Sequence, residues 1–416
     1  MTISFKTKIL LLLLILPFLA SCSKDPIGGD DDEPQIEARI TEVIRYEKSR
    51  MTAYNIEYQS KDPLGKDVML SGTITIGDEV GVGKPARGMV LYNRYTIFGA
   101  DECPSRGGLA MQKFIVGSGL ITVSADGYGF GSTEDKPQAY CIGSANAQAG
   151  VDALLAARKL LSEKGYKWDN VLFNIGYSQG GQTSIAVLKL VTECYPSIRI
   201  THTFAGGGPY DLPATYRWMV SQNRSAMPCS VAESLLAYNT IFNLGVEWDR
   251  LFKEPLLGNF SEWILSKKYG SGSIDRKIGT EILSDIFTPE TLDPQSGVGR
   301  VFLSAMQGEN LCQGWTPRKD EQISIIHNVA DDVVPVVNAQ NLIDFFKDKG
   351  LPVTKVSSEK GVYVKVYDMK AEQELYGISA PHVAGAVPFL LTALSKICSV
   401  LNIDVWFDSS ELTDQL

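Results

Sequence analysis

The chain has few of the residues by which nucleic-acid-binding proteins and small metal-binding domains are recognised. It carries 39 Lys and Arg against 48 Asp and Glu, a formal net charge of -9, and no cluster of basic residues. Because a protein that follows a phosphate backbone needs such a cluster, nucleic acid is not an expected partner. There is no Cys-x-x-Cys pair and there are three histidines, so a metal site has little support and no cofactor is predicted.

A long apolar run without charge occupies residues 9–19, directly after Lys6 and Lys8. It is too short to span a bilayer as a permanent helix and predicts a cleavable export signal. The run ends in Leu19-Ala20-Ser21-Cys22, which resembles a bacterial lipoprotein signal. We therefore expect a signal peptide at 1–21 and lipidation of Cys22, with an ordinary secretory peptide as the alternative.

Residues 22–35 contain Gly28-Gly29, the acidic run Asp30-Asp31-Asp32-Glu33 and Pro34. This composition predicts a flexible acidic tether with no core of its own. Acyl chains on Cys22 would make the membrane a partner of the protein. The expected location is the bacterial cell envelope, lipid-anchored at the outer membrane or the cell surface.

Beyond Cys22 the cysteines are even in number, which outside the cytoplasm permits up to three disulfides in any of 15 pairings. A bridge between Cys103 and Cys141 is the first expectation, because both flank predicted active-site loops, and free buried thiols are the alternative. The six residues are Cys103, Cys141, Cys194, Cys229, Cys312 and Cys398.

Apolar and polar residues alternate between residues 36 and 78, which predicts an antiparallel meander at one edge of a sheet. After Met89, strand-like runs alternate with helical patterns, which indicates a mostly parallel sheet with helices on both faces. Residues 213–312 show aromatic-rich helical stretches and no clear strand. We predict an α/β core at 36–212 and 313–416 with a helical cap inserted at 213–312; an independent domain is the alternative.

The strand-like run 172–175 ends abruptly in Gly176-Tyr177-Ser178-Gln179-Gly180, and a helical pattern starts at once. Glycines on either side of a serine allow the sharp turn that exposes its hydroxyl at the carboxyl end of a strand. This context predicts that Ser178 is a nucleophile. A glycine-rich turn without chemistry is the alternative.

A serine nucleophile needs a histidine to carry its proton. His202 lies inside a predicted strand and His327 at the end of another, so both are expected to be structural. His382 lies in a loop before the last helix, which favours it as the base. The acid that orients it follows a strand in Ala330-Asp331-Asp332, with Asp331 preferred over Asp332; the alternative role of either is to cap the next helix.

The chain order serine, acid, histidine across an alternating sheet is similar to that of the α/β-hydrolase superfamily, and the sequence resembles its secreted lipases and esterases. The resemblance covers nearly all of the chain beyond about residue 55. It rests on the serine motif at 176–181, the acid motif at 330–335 and two glycine-rich loops, Asp126-Gly127-Tyr128-Gly129-Phe130-Gly131 and Ala205-Gly206-Gly207-Gly208-Pro209-Tyr210-Asp211. In that superfamily one oxyanion amide belongs to the residue after the nucleophile, here Gln179. The second comes from a loop often containing His-Gly, where this chain has Arg94-Tyr95, so Tyr95 or Thr96 is implied.

What the resemblance implies is a serine-dependent carboxylic ester hydrolase that works through an acyl-enzyme, on a small-molecule or polymer-linked ester. A serine peptidase on the same fold is the second reading, although such enzymes usually carry a β-propeller before the catalytic domain. A binding lipoprotein without catalysis is the third. The acyl group is left open: Trp218, Trp248 and Trp263 are compatible with an apolar or aromatic acyl group, but such residues also build cap cores.

Overall fold

The computed structural model describes residues 36–355, 361–367 and 381–404. The predicted signal peptide 1–21, the lipidation site Cys22 and the tether 22–35 lie outside the described residues. Within the described ranges ten strands form one sheet. They are β1 (Ala38–Tyr46), β2 (Met51–Lys61), β3 (Asp67–Gly77), β4 (Met89–Asn93), β5 (Ile121–Ala125), β6 (Leu172–Tyr177), β7 (His202–Gly206), β8 (Ile323–Asn328), β9 (Val353–Thr354) and β10 (Val362–Tyr367).

The sheet is antiparallel at one edge and parallel elsewhere. Its order is β1-β2-β3-β5-β4-β6-β7-β8-β10-β9, and only the pairs β1/β2, β2/β3 and β3/β5 are antiparallel among the described strands. Strands β6, β7 and β8 are buried along their whole length, as expected where helices cover both faces. Their carboxyl ends therefore meet at one edge of the sheet.

Helices cover both faces of this sheet. One face carries α2, α3 and α10, whose apolar residues share a core with Met89 and Leu91 of β4; the other carries α1 and α12, against Val90 and Tyr92 of the same strand. The helices are α1 (Ala110–Val116), α2 (Gly143–Glu163), α3 (Gln179–Cys194), α4 (Leu212–Gln222), α5 (Pro228–Ile241), α6 (Leu256–Phe260), α7 (Ser271–Ile278), α8 (Leu283–Ile286), α9 (Gly297–Gly308), α10 (Val337–Asp348), α11 (Pro381–Ala384) and α12 (Ala386–Leu401).

Helices α4 to α9 lie between β7 and β8 in the chain and form a cap with a hydrophobic core largely of its own. Several polar contacts join the cap to the sheet domain, among them those of Lys267 and Glu309. The Lys267 ammonium group donates to the carbonyl oxygens of Gly129, Glu134 and Lys136 at 2.5, 2.6 and 2.6 Å. The Glu309 carboxylate accepts from the amide and hydroxyl of Ser144, at 2.9 and 2.7 Å, at the start of α2. These contacts hold the cap over the carboxyl edge of the sheet.

The expected Cys103–Cys141 disulfide is wrong, because both residues are free thiols. Cys103 packs with Ile97 and Phe130, whereas Cys141 belongs to the core of the cap. Although both cysteines flank predicted active-site loops, their side chains pack in different clusters. Cys229, Cys312 and Cys398 are also free.

Candidate active site

Ser178 sits at a sharp turn between β6 and α3, with φ 57° and ψ -123°. The turn depends on its glycines. A Cβ atom at Gly176 would lie 2.2 Å from the carbonyl oxygen of Gly180, and one at Gly180 would lie 2.2 Å from the carbonyl oxygen of Asn93. Neither position can therefore hold a larger residue without moving backbone. The strained conformation of Ser178 places its hydroxyl at the carboxyl end of the sheet.

Three residues far apart in the chain form one hydrogen-bonded series at this edge. The Nε2 atom of His382 lies 2.8 Å from the Oγ atom of Ser178. Its Nδ1 atom lies 2.7 Å from Oδ2 of Asp331. The other carboxylate oxygen, Oδ1, accepts the amides of Val333 and Val334 at 3.0 and 2.7 Å. Asp331 follows β8 and His382 lies in α11, so sheet topology brings both to the serine.

All three side chains are almost fully buried, which magnifies their electrostatic coupling. Burial alone would lower the pKa of His382, but the charge of Asp331 and its hydrogen bond outweigh burial and raise the pKa above its ordinary value. Burial likewise opposes ionisation of Asp331, yet the neighbouring His382 imidazole holds the pKa of that carboxyl below its usual range. The pair is therefore arranged to stabilise an imidazolium beside a carboxylate.

The remaining candidate residues have other contacts. Asp332 accepts the backbone amide of His382 at 3.2 Å and does not bond its ring in the described structure. His202 pairs with the hydroxyl of Ser324 at 2.8 Å, and burial lowers its pKa to about 3. His327 bonds the carbonyl oxygen of Val334 at 3.0 Å through Nε2. Both histidines are built into strands.

Tyr177, which the sequence pattern did not indicate, holds the helix α11 that carries His382. Its hydroxyl donates to the carbonyl oxygen of His382 at 2.6 Å, and its ring centroid lies 5.4 Å from that of the imidazole. Glycines make room for this ring: a Cβ atom at Gly207 would lie 2.8 Å from the Tyr177 ring, and one at Gly385 would lie 2.3 Å from its hydroxyl. In the sequence, the run Gly206-Gly207-Gly208 was the feature that could have indicated a large side chain packed against this segment.

A half-buried arginine supports the loop after β4. The guanidinium group of Arg94 donates to the carbonyl oxygen of Asp126 at 2.8 Å and to the side-chain oxygen of Gln179 at 3.4 Å. It also lies 4.9 Å from the centre of the Phe130 ring. Arg94 therefore joins this loop to the first residue of α3, at the place where the sequence departs from His-Gly.

A cavity of about 50 Å³ opens beside the nucleophile. Ser178, Gln179 and Thr96 line it next to residues of the cap. Tyr95 does not line it, and its side chain is 42% exposed. Of the two residues implied as second oxyanion donor, Thr96 is thus the one that faces the space beside Ser178. Among the described residues, no group of three or more His, Cys, Asp and Glu side chains could hold a metal ion.

Comparison by sequence finds no family model and no curated protein that matches the chain. Comparison of structures finds a protein from Legionella pneumophila assigned to the hydrolases, with a TM-score of 0.67 and 20% identity over 85% of this chain and 89% of that one. The rice cell wall degrading esterase LipA from Xanthomonas oryzae has a TM-score of 0.66 and 17% identity, over 88% of this chain and 96% of LipA. Lipase A from Candida antarctica, in its closed state, has a TM-score of 0.58 and 14% identity, over 88% and 81%.

These neighbours share the mixed sheet with helices on both faces. The chain has the α/β-hydrolase fold, which confirms the fold class and the resemblance predicted from the sequence. At such low identities the comparison speaks for the fold, and one fold can host many chemistries. The chemistry of this chain therefore depends on the residues at the carboxyl edge of its sheet.

Proposed function

We propose that the protein is a serine-dependent carboxylic ester hydrolase. The observation that carries the proposal is the hydrogen-bonded series from Asp331 through His382 to Ser178, with Nε2 of the imidazole 2.8 Å from the serine hydroxyl. A hydroxyl at this distance from a neutral imidazole is activated as a nucleophile. The solved structures with the same fold include a hydrolase, an esterase and a lipase, which supports the same class.

In the proposed reaction, Oγ of Ser178 attacks the ester carbonyl carbon while His382 takes the hydroxyl proton. The carbonyl oxygen becomes an oxyanion, which the backbone amides of Gln179 and Thr96 stabilise. The tetrahedral intermediate collapses, and His382 gives its proton to the departing alkoxide. Water then attacks the acyl-enzyme with His382 again as the base, which releases the acid and restores Ser178.

Asp331 has two tasks in this scheme. Because its Oδ2 accepts from Nδ1, the lone pair of a neutral His382 is directed toward Ser178. Its negative charge also offsets the positive charge that the ring gains during attack. The two amides on Oδ1 keep the carboxylate in this orientation.

The Ser178→Ala variant tests the assignment. We expect wild-type protein to hydrolyse p-nitrophenyl butyrate and to be labelled covalently by a fluorophosphonate, and the variant to do neither. Ser221→Ala, at an exposed hydroxyl that bonds within α4, serves as the control and should retain both. Unchanged turnover in Ser178→Ala would refute the nucleophile.

Two other functions predict different results in the same assays. A peptidase would hydrolyse peptide p-nitroanilides as well as p-nitrophenyl esters, whereas an ester hydrolase would leave the anilides intact. A binding protein without catalysis would not be labelled by the fluorophosphonate, although Ser178, His382 and Asp331 are all present. Attachment of the mature chain to a membrane of the bacterial envelope through a lipid on Cys22 stays a prediction from the sequence.

A further inference from the structure

The cavity beside Ser178 reaches into the cap, and its walls indicate which part of an ester it receives. Besides Ser178, Gln179 and Thr96, it is lined by side chains of α4, α5 and α9, including Leu235 and Met306. His382 is not among the lining residues. The leaving alcohol must depart next to His382, because that imidazole protonates it. The group that enters the cavity is therefore the acyl group.

The cavity is small. At about 50 Å³ it has room for several atoms, since a cavity that holds one water needs on the order of 10–15 Å³. A dry cavity that binds benzene is about 150 Å³, roughly three times as large. Neither the ring of a hydroxycinnamoyl group nor the chain of a long fatty acid fits inside a cavity of this size, so each would have to extend out of it.

The walls also limit the polarity of the acyl group. Among the described residues, no Asp, Glu, Lys, Arg or His side chain lines the cavity. Two of its serines use their hydroxyls within α5: Ser230 donates to the carbonyl oxygen of Met227 at 2.7 Å, and Ser234 to that of Ser230 at 2.9 Å. These donors are already paired, so a charged or strongly polar acyl group would lose its hydration without compensation.

We propose that the enzyme is specific for esters of short, uncharged aliphatic acids, from acetyl to butyryl, and that Leu235 of α5 limits the length of the acyl chain. This inference rests on the proposed function of the same site. Leu235 lines the cavity and is fully buried, so its side chain cannot swing into solvent to admit a longer chain. Each methylene that a pocket accepts or rejects changes the specificity constant by roughly 10- to 200-fold.

The test is the series of p-nitrophenyl acetate, butyrate, octanoate and ferulate on purified protein. We expect kcat/KM for butyrate to exceed that for octanoate and for ferulate by at least about tenfold. Leu235→Ala removes three carbon atoms from the wall and should raise the octanoate-to-butyrate ratio of kcat/KM by about tenfold or more.

The matched control is Leu236→Ala. Leu236 is the next residue of the same helix and is 1% exposed, but it does not line the cavity. Both variants leave a hole in the cap, so general loosening of the cap would change the octanoate-to-butyrate ratio of kcat/KM equally in the two. The proposal requires that this ratio change in Leu235→Ala alone. Thermal denaturation checks that both fold; if Leu235→Ala does not, Leu235→Phe should instead lower the butyrate-to-acetate ratio.

The outcomes separate this inference from the function on which it rests. No fluorophosphonate labelling and no turnover of any ester would refute the ester hydrolase itself. If the fluorophosphonate labels the protein but octanoate or ferulate esters are hydrolysed as fast as the butyrate ester, the hydrolase assignment stands and the short-acyl proposal is refuted. Equal shifts in Leu235→Ala and Leu236→Ala would refute the role of Leu235.

Discussion

Replacement of Asp331 by asparagine inverts the hydrogen bonding of the proposed base without changing the shape of the side chain. Oδ1 accepts two backbone amides, from Val333 and Val334, while Oδ2 holds Nδ1 of His382. In the variant the amide oxygen stays with the two backbone donors, because turning the side chain over would set its NH2 group against them. Each unsatisfied buried donor costs about 1–3 kcal/mol. The NH2 group then faces Nδ1.

An NH2 group can only donate, so Nδ1 becomes the acceptor and the proton of neutral His382 moves to Nε2. Nε2 now donates toward Ser178 and cannot take its proton. A triad with the wrong tautomer loses about 10⁴-fold in kcat, which at 1.36 kcal/mol per factor of ten is about 5 kcal/mol of transition-state stabilisation. We expect a loss of this size in Asp331→Asn, with the fold retained.

Steady-state hydrolysis of p-nitrophenyl butyrate measures the loss, with Asp332→Asn as the matched control. Among the contacts described, the side chain of Asp332 accepts only the backbone amide of His382, so its variant should lose less than about tenfold. A folded Asp331→Asn protein within tenfold of wild type would refute the assignment of the acid. A larger loss in Asp332→Asn than in Asp331→Asn would transfer the role to Asp332.

Two further predictions concern the same imidazole. The base must be neutral, and Asp331 raises the pKa of His382 above its ordinary 6.5, so kcat/KM should rise with pH through a midpoint above 6.5. In Asp331→Asn this midpoint should fall, because His382 remains buried while the charge of Asp331 is gone. A wild-type midpoint below 6.5 would contradict the coupling of the two residues. Tyr177→Phe removes the hydroxyl that donates to the carbonyl oxygen of His382. We expect kcat to fall about tenfold with KM little changed, because a positioning contact worth about 1–3 kcal/mol is lost. A change in KM alone would assign Tyr177 to substrate binding.

Local sequence pattern was sufficient for the strand, turn and helix around Ser178. The turn is fixed by contacts within a few residues: the carbonyl oxygen of Gly180 excludes a Cβ atom at Gly176. The fold class was equally accessible, because buried strands alternate with amphipathic helices along the chain. The scarcity of histidine made elimination possible, and the imidazole that the structure brings to Ser178 is that of His382, which lies not in the expected loop but in the short helix α11 before the last helix.

The local sequence pattern could not predict contacts between residues that are distant in the chain. The hydroxyl of Tyr177 meets a carbonyl oxygen 205 residues further along the chain, and no local feature of either position indicates the other. Strand ends were also misjudged: His202 was predicted to lie inside a strand, but it is the first residue of β7, where pairing with Phe173 of β6 begins. The disulfide failed for a related reason, since spacing in the chain does not say in which direction a buried thiol points.

Tyr177 shows why the packing of the sheet and the position of the base cannot be separated. It is the last residue of β6, and the next residue is Ser178. Its ring lies 5.4 Å from that of Phe389 in α12, and its hydroxyl bonds the backbone of His382 in α11. The helix that covers one face of the sheet is thereby tied to the strand that carries the serine. Because buried rings pack with little free space, a shift of α12 must move His382 relative to Ser178, so core substitutions at Phe389 should impair catalysis before they unfold the protein.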